Sequence, residues 1–115
     1  MIKEAATFTD EIRPHMRGGQ GEVRIRNVLT EAELNGKGRL FGTITLEPGC
    51  SIGYHKHEGD SEIFYVLEGT PTYNDGGTEH VVAPGDVLIC PDGTGHSLAN
   101  PTDKKVVVMA VIVYA

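Results

Sequence analysis

The sequence predicts an all-β fold, a sandwich or barrel in a single domain, and three observations predict it. Short runs rich in β-branched residues recur along the chain, turn signals separate them every eight to twelve residues, and hardly any stretch keeps a helical period. Fifteen glycines and six prolines supply the turns. At 115 residues the chain is long enough for one core and no more.

Residues 1–22 have weak periodicity and end in Arg17-Gly18-Gly19-Gln20-Gly21. They are expected to form an arm with one short strand and a glycine-rich loop, ahead of a β-barrel or sandwich over 23–115. Glycines so spaced can cradle phosphate where a helix follows, but Val23-Arg24-Ile25-Arg26 alternates apolar with basic and reads as a strand. Thr30 and Glu33 have the spacing of a capping box, and Asn35-Gly36 stops the helix after one turn. Further strands are expected over 40–47, 52–57, 62–67, 70–73, 79–82, 86–90, 96–99 and 105–114. Pro48-Gly49 closes the first of these, and Asn74-Asp75-Gly76-Gly77 is a hairpin turn. The last strand is long and apolar enough to be central. Periodicity alone leaves immunoglobulin-like, jelly-roll and other barrels open.

Composition removes several classes of function. A net charge of −6 with no run of Lys or Arg repels phosphate backbones, so nucleic acid is not an expected partner. No stretch approaches the roughly eighteen apolar residues of a membrane span. The opening residues carry Lys3, Glu4, Asp10 and Glu11 in place of an apolar signal core, and the expected compartment is the cytoplasm. Cys50 and Cys90 are too few for a disulfide framework and are expected to be reduced and partly buried.

The chemistry concentrates in His55-Lys56-His57-Glu58-Gly59-Asp60-Ser61-Glu62, answered further on by His96. In a strand, His55 and His57 share a face, while Tyr54 and Lys56 point the other way. Glu58 to Ser61 reads as a tight turn, so a hairpin is expected to lay Glu62, at the head of the next strand, beside the histidines. Imidazoles and a carboxylate converging in this way suit a divalent transition metal: manganese, iron, nickel, cobalt or zinc.

The flanking residues extend the pattern. Gly49, His55, His57, Glu62 and Gly69 match every fixed position of the first motif of the cupin superfamily, and Gly85, Pro91, Gly93, His96 and Asn100 match the second. The chain thus resembles a small single-domain cupin, which implies a double-stranded β-helix, or jelly-roll barrel, with one divalent transition metal inside. The resemblance makes His55, His57, Glu62 and His96 the metal ligands. Strand alternation in such a barrel would turn Ser51 and Gly53 inward with the histidines, Phe64 and Val66 after Glu62, and Leu98 and Asn100 after His96. The wall would be mainly apolar, with Ser51 and Asn100 its only other polar groups.

Decarboxylation, dioxygenation and isomerisation all occur among the cupins this chain resembles, and the four ligands do not separate them. The expected function is that of a metal-dependent enzyme acting on a small hydroxy, keto or carboxylic acid, with no catalytic acid or base assigned. The alternative is a non-catalytic protein that binds metal or a small ligand, for example a sugar derivative. Oxalate-handling decarboxylases of the superfamily carry an arginine three residues ahead of the first histidine, and Ile52 stands there, which disfavours oxalate as substrate. Arg17, Arg24, Arg26 and Arg39 are expected on the solvated surface, leaving no sugar-phosphate clamp. Tyr54, Tyr65, Tyr73 and His80 are read as packing or surface groups. A homodimer is expected, with Val23 and Ile25 in an arm that crosses to the partner.

Overall fold

A computed structural model describes the chain from Met1 to Ala115. Ten strands form two antiparallel sheets: β1 (Thr9–Pro14), β2 (Glu22–Leu29), β3 (Gly38–Leu46), β4 (Ser51–Lys56), β5 (Asp60–Glu68), β6 (Thr72–Asp75), β7 (Thr78–Val81), β8 (Val87–Cys90), β9 (Gly95–Ala99) and β10 (Val106–Tyr114). The larger sheet runs in the order β1-β2-β3-β10-β5-β8 and the smaller in the order β4-β9-β6-β7. The only helical elements are two 3-10 turns, Ala5–Thr7 and Met16–Gly18. The β-branched strand β10 is central, bonded to β3 on one side and β5 on the other.

Side-chain alternation builds the core between the sheets. On β10, Val106, Val108, Ala110 and Ile112 are buried, and the first three share a core cluster with Ile44, Leu46, Phe64 and Val66 from the neighbouring strands. Burying each of the valine, leucine, isoleucine and phenylalanine side chains is worth about 1.5–3 kcal/mol. The outer face of the same sheet is apolar too, with Tyr65, Leu67, Val87 and Ile89 exposed on β5 and β8.

Local signals are realised closely. The Thr30 backbone N–H donates to Glu33 Oε1 at 2.9 Å and the Glu33 N–H to Thr30 Oγ1 at 3.1 Å, the two reciprocal bonds of a capping box. Asn35 and Gly36 then take positive φ and end the turn. In the β6–β7 hairpin Asp75 faces Thr78, so Gly76 and Gly77 form the two-residue loop, at φ of 60° and 111°.

Two long-range expectations fail. The first is the hairpin joining the histidines to Glu62: β4 and β5 lie in different sheets. The backbone of His57 is already committed, its N–H donating to Thr94 O at 2.9 Å and its carbonyl accepting from Gly93 N–H at 2.8 Å. The chain therefore crosses at Glu58-Gly59 to the opposite sheet. The second is the crossing arm: Val23 and Ile25 are 0% and 2% exposed within this chain's own core. β1 pairs with β2 at the edge of the larger sheet, and residues 15–21 then fold as a strap across β4. The strap is bonded to β4 in both directions, through Ser51 N–H to Gln20 O and Gln20 N–H to Ser51 Oγ, both 2.9 Å.

Candidate metal centre

Because β4 and β5 belong to opposed sheets, the histidines and the glutamate face one another across the barrel. His55 lies on β4, His57 just beyond it, His96 on β9 and Glu62 on β5. The potential ligand atoms of all four lie within 4.8 Å of one another, and His57, Glu62 and His96 are buried. His57 Nε2 is 3.1 Å from His96 Nε2 and from Glu62 Oε1, and His96 Nε2 is 3.0 Å from Glu62 Oε1. Adjacent corners of an octahedron with metal–nitrogen bonds of about 2.1 Å are about 3 Å apart, so this spacing fits a six-coordinate divalent ion.

Each imidazole is fixed through its other nitrogen. His55 Nδ1–H donates to Gly53 O at 2.8 Å and His57 Nδ1–H to Asp60 Oδ1 at 2.7 Å, while His96 Nδ1 lies 2.9 Å from the Tyr73 hydroxyl. The acceptor oxygens opposite His55 and His57 leave their Nε2 atoms free as ligand atoms, the tautomer that metal binding requires, and the Tyr73 hydroxyl can accept from His96 Nδ1–H in the same way. Phe64 stacks on the His96 ring at 5.2 Å, so the ring is held by packing as well as by Tyr73.

Electrostatics follow the same map. Glu62 pulls His57 above the ordinary histidine range; burial opposes this and Asp60 adds to it. Burial moves His55 the other way, with the charge of Arg17 among the lesser contributors. Burial disfavours the charged forms of Glu62 and Asp60, but hydrogen bonds outweigh it: His57 and His96 hold Glu62 low, and Arg39 and His57 hold Asp60 low. Burial keeps the Tyr73 hydroxyl protonated.

The inner wall differs from simple alternation. On β4, Ile52 pairs with Leu98 and His55 with His96, so three steps along β4 oppose two along β9. This bulge between Ile52 and His55 reverses the parity, and Ile52 joins His55 in lining the cavity while Ser51 turns to the strap. Asn100 is buried but serves the backbone: Nδ2 donates to Leu46 O and Lys104 O, and Oδ1 accepts from Thr102. Phe64, Val66 and Leu98 belong to the core beneath the site.

The cavity in front of His55, His57 and Glu62 measures about 80 Å³. Ile25, Ile44, Ile52 and Ile112 give it an apolar floor, and Glu11, Arg13, Arg17, Asn27 and Arg39 a polar rim. Arg17 and Arg39 are exposed, as expected, and they also line the mouth of the cavity. Arg24 and Arg26 are surface residues paired with Asp10. Sequence reasoning missed Asp60, which read as a turn residue, and the structural partnership of Tyr73. An acid three residues after a candidate ligand was the one local signal available. Cys50 and Cys90 are free thiols, Cys90 buried and beside Thr94.

Comparison with known proteins agrees with the fold and the motifs. The cupin domain model matches residues 42–113, and the chain belongs to the cupin family. It is 37% identical over 113 residues to a Thermotoga maritima protein named oxalate-binding protein, covering 98% of this chain and 93% of that one. The crystal structure of a predicted oxalate decarboxylase from Thermotoga maritima superposes with a TM-score of 0.94 at 36% identity, covering all of both chains. A polyketide cyclase from Streptomyces resistomycificus shares the fold, with a TM-score of 0.78 at 23% identity over 99% of this chain and 80% of that one.

Two outcomes are expected at this centre. Asp60→Ala removes the partner of His57 Nδ1–H and lowers the affinity for Mn²⁺ or Zn²⁺ by about 10–100-fold in a competitive chelator titration. Glu58→Ala, on an exposed turn, leaves it unchanged. The second outcome concerns pH. In the metal-free protein the raised pKa of His57 adds stability below the ordinary value of 6.5, and this is lost as pH rises through the higher folded value. Metal requires the neutral ring, so its stabilising effect runs oppositely. The rise in Tm on adding metal is expected to be full near about pH 8 and lost by about pH 5. An increment constant across that range would remove His57 from the ligand set.

Proposed function

We propose that the chain binds one divalent transition metal through His55, His57, Glu62 and His96, and uses it to hold a small carboxylic acid as a bidentate oxygen ligand. The observation that carries this reading is the convergence of three imidazoles and one carboxylate, their ligand atoms within 4.8 Å of one another, beside a small cavity with a cationic rim. A divalent ion with one anionic protein ligand keeps a positive charge, and when bound it supplies Lewis acidity toward an oxygen of the acid. The isoleucine floor excludes water and strengthens the attraction.

Oxalate re-enters as the favoured ligand. Ile52 removes only the strand position from which an arginine was expected, whereas the rim brings arginines to the same cavity from other elements. The name of the Thermotoga relative supports this choice. Binding stands ahead of acid–base catalysis for a specific reason. The rim carboxylate Glu11 is paired with Arg13 at 3.2 Å, Asp60 is held by His57 and Arg39, and Tyr73 stands behind His96. A decarboxylase or dioxygenase remains the second reading, in which the metal alone carries the chemistry.

The proposal includes a homodimer, formed by the apolar outer face around Tyr65, Leu67, Val87 and Ile89. Light scattering at micromolar concentration is expected to give twice the chain mass, and a monomeric mass removes this part. The ligand is tested by calorimetric titration of Mn²⁺-loaded protein. Oxalate is expected to bind more tightly than lactate or pyruvate, and all three more tightly than a simple amine. Binding of the amine with none of the acids would overturn the reading.

A further inference from the structure

Three arginines reach the rim of the cavity, but they are not equivalent. Arg13 donates through Nε and Nη2 to Glu11, and Arg39 donates through Nε to Asp60. Arg17 lines the same cavity with no carboxylate within ion-pair distance and no side-chain hydrogen bond within the chain. Its charge is therefore uncompensated beside the metal ligands.

The backbone around Arg17 is held in a conformation that the chain would not adopt unaided. Arg17 has φ 55° and ψ 28°, and His15, two residues earlier, has φ 50° and ψ 43°, both in the left-handed region. Such conformations cost about 1 kcal/mol or more each and persist where the surroundings impose them. Here the surroundings are explicit. A Cβ on Gly53 would sit 2.0 Å from Arg17 O, and one on Gly19 would sit 2.1 Å from Ser51 O. The strap thus lies directly on the bulge of β4, and His15 N–H closes it by donating to Gly21 O at 2.8 Å. The strained turn delivers the guanidinium from outside β4 to the cavity that β4 itself serves with Ile52.

We propose that Arg17 is the specificity determinant of the site, donating to the two outward oxygens of a chelated diacid. This rests on the reading of the cavity as a metal-dependent acid site. With Arg13 and Arg39 already paired, a divalent ion, Glu62 and Arg17 leave the site two positive charges, which match a small dianion. A diacid that gives the metal one oxygen from each carboxylate turns its other two oxygens outward, side by side. A guanidinium fork meets two such oxygens with parallel N–H donors. A 2-hydroxy acid chelated in the same way offers one outward oxygen and a single negative charge.

The test compares Mn²⁺-loaded wild-type protein with Arg17→Gln and Arg17→Lys by calorimetry, using oxalate and lactate, with Mn²⁺ affinity measured alongside. Arg17→Gln is expected to weaken oxalate by about tenfold or more and lactate by less than about threefold, at unchanged Mn²⁺ affinity. Arg17→Lys, which keeps the charge and loses the fork, is expected to fall between. Equal oxalate affinity in all three proteins, or equal losses for oxalate and lactate, overturns the role of Arg17 while leaving the acid site intact. Wild-type protein that binds neither acid overturns the underlying reading and this inference with it.

Discussion

The centre of this structure is a buried negative charge facing three imidazoles. Glu62 is 4% exposed, and a carboxylate removed from water in an apolar barrel is costly unless cationic partners replace its solvation. His57 and His96 are within 3.1 Å of it, and they can act as partners either by carrying a proton or by sharing a metal ion. A proton on His57 serves Glu62, but burial drives His55 toward its neutral form. A divalent ion serves all four residues at once. The outer partners Asp60, Tyr73 and the Gly53 carbonyl give that preference its rigidity, because they orient the imidazoles before any ligand arrives.

That geometry depends on the two-sheet architecture. The six-stranded sheet supplies Glu62 and the floor residues Ile25, Ile44 and Ile112, and the four-stranded sheet supplies His55, His96 and Ile52. Neither sheet holds a complete site. Packing of Phe64 against His96 joins the hydrophobic core directly to the candidate site, so the order of the core bears on the placement of the His96 ring.

The sequence revealed most where the determining contacts are local. The capping box at Thr30 and Glu33, the Gly76-Gly77 hairpin and the central strand ending at Tyr114 depend on residues near one another in the chain, and their types specify the geometry. The motif residues His55, His57, Glu62 and His96 were legible for a different reason: their spacing matches a family, and the structure brings them together. What escaped was set by non-local pairing. One extra residue between Ile52 and His55 inverted the predicted inner wall, placing Ile52 inside and Ser51 outside. The sheet switch after His57 came from bonds to Gly93 and Thr94, which no local pattern announces. The arginines of the rim come from the strap and from β1 and β3, and nothing in their immediate neighbours marks them as cavity residues.

The mutual packing of Gly19 and Gly53 also bears on how the chain could change over generations of replication. Neither glycine offers a functional group, yet a side chain at either would drive a carbon into the opposing backbone. Backbone atoms cannot be trimmed by a second substitution, so no compensating replacement at the other position restores the fit. A saturation scan would thus mark two positions without chemistry as intolerant, and the arm before residue 23 would be constrained to drift together with the strand bearing His55.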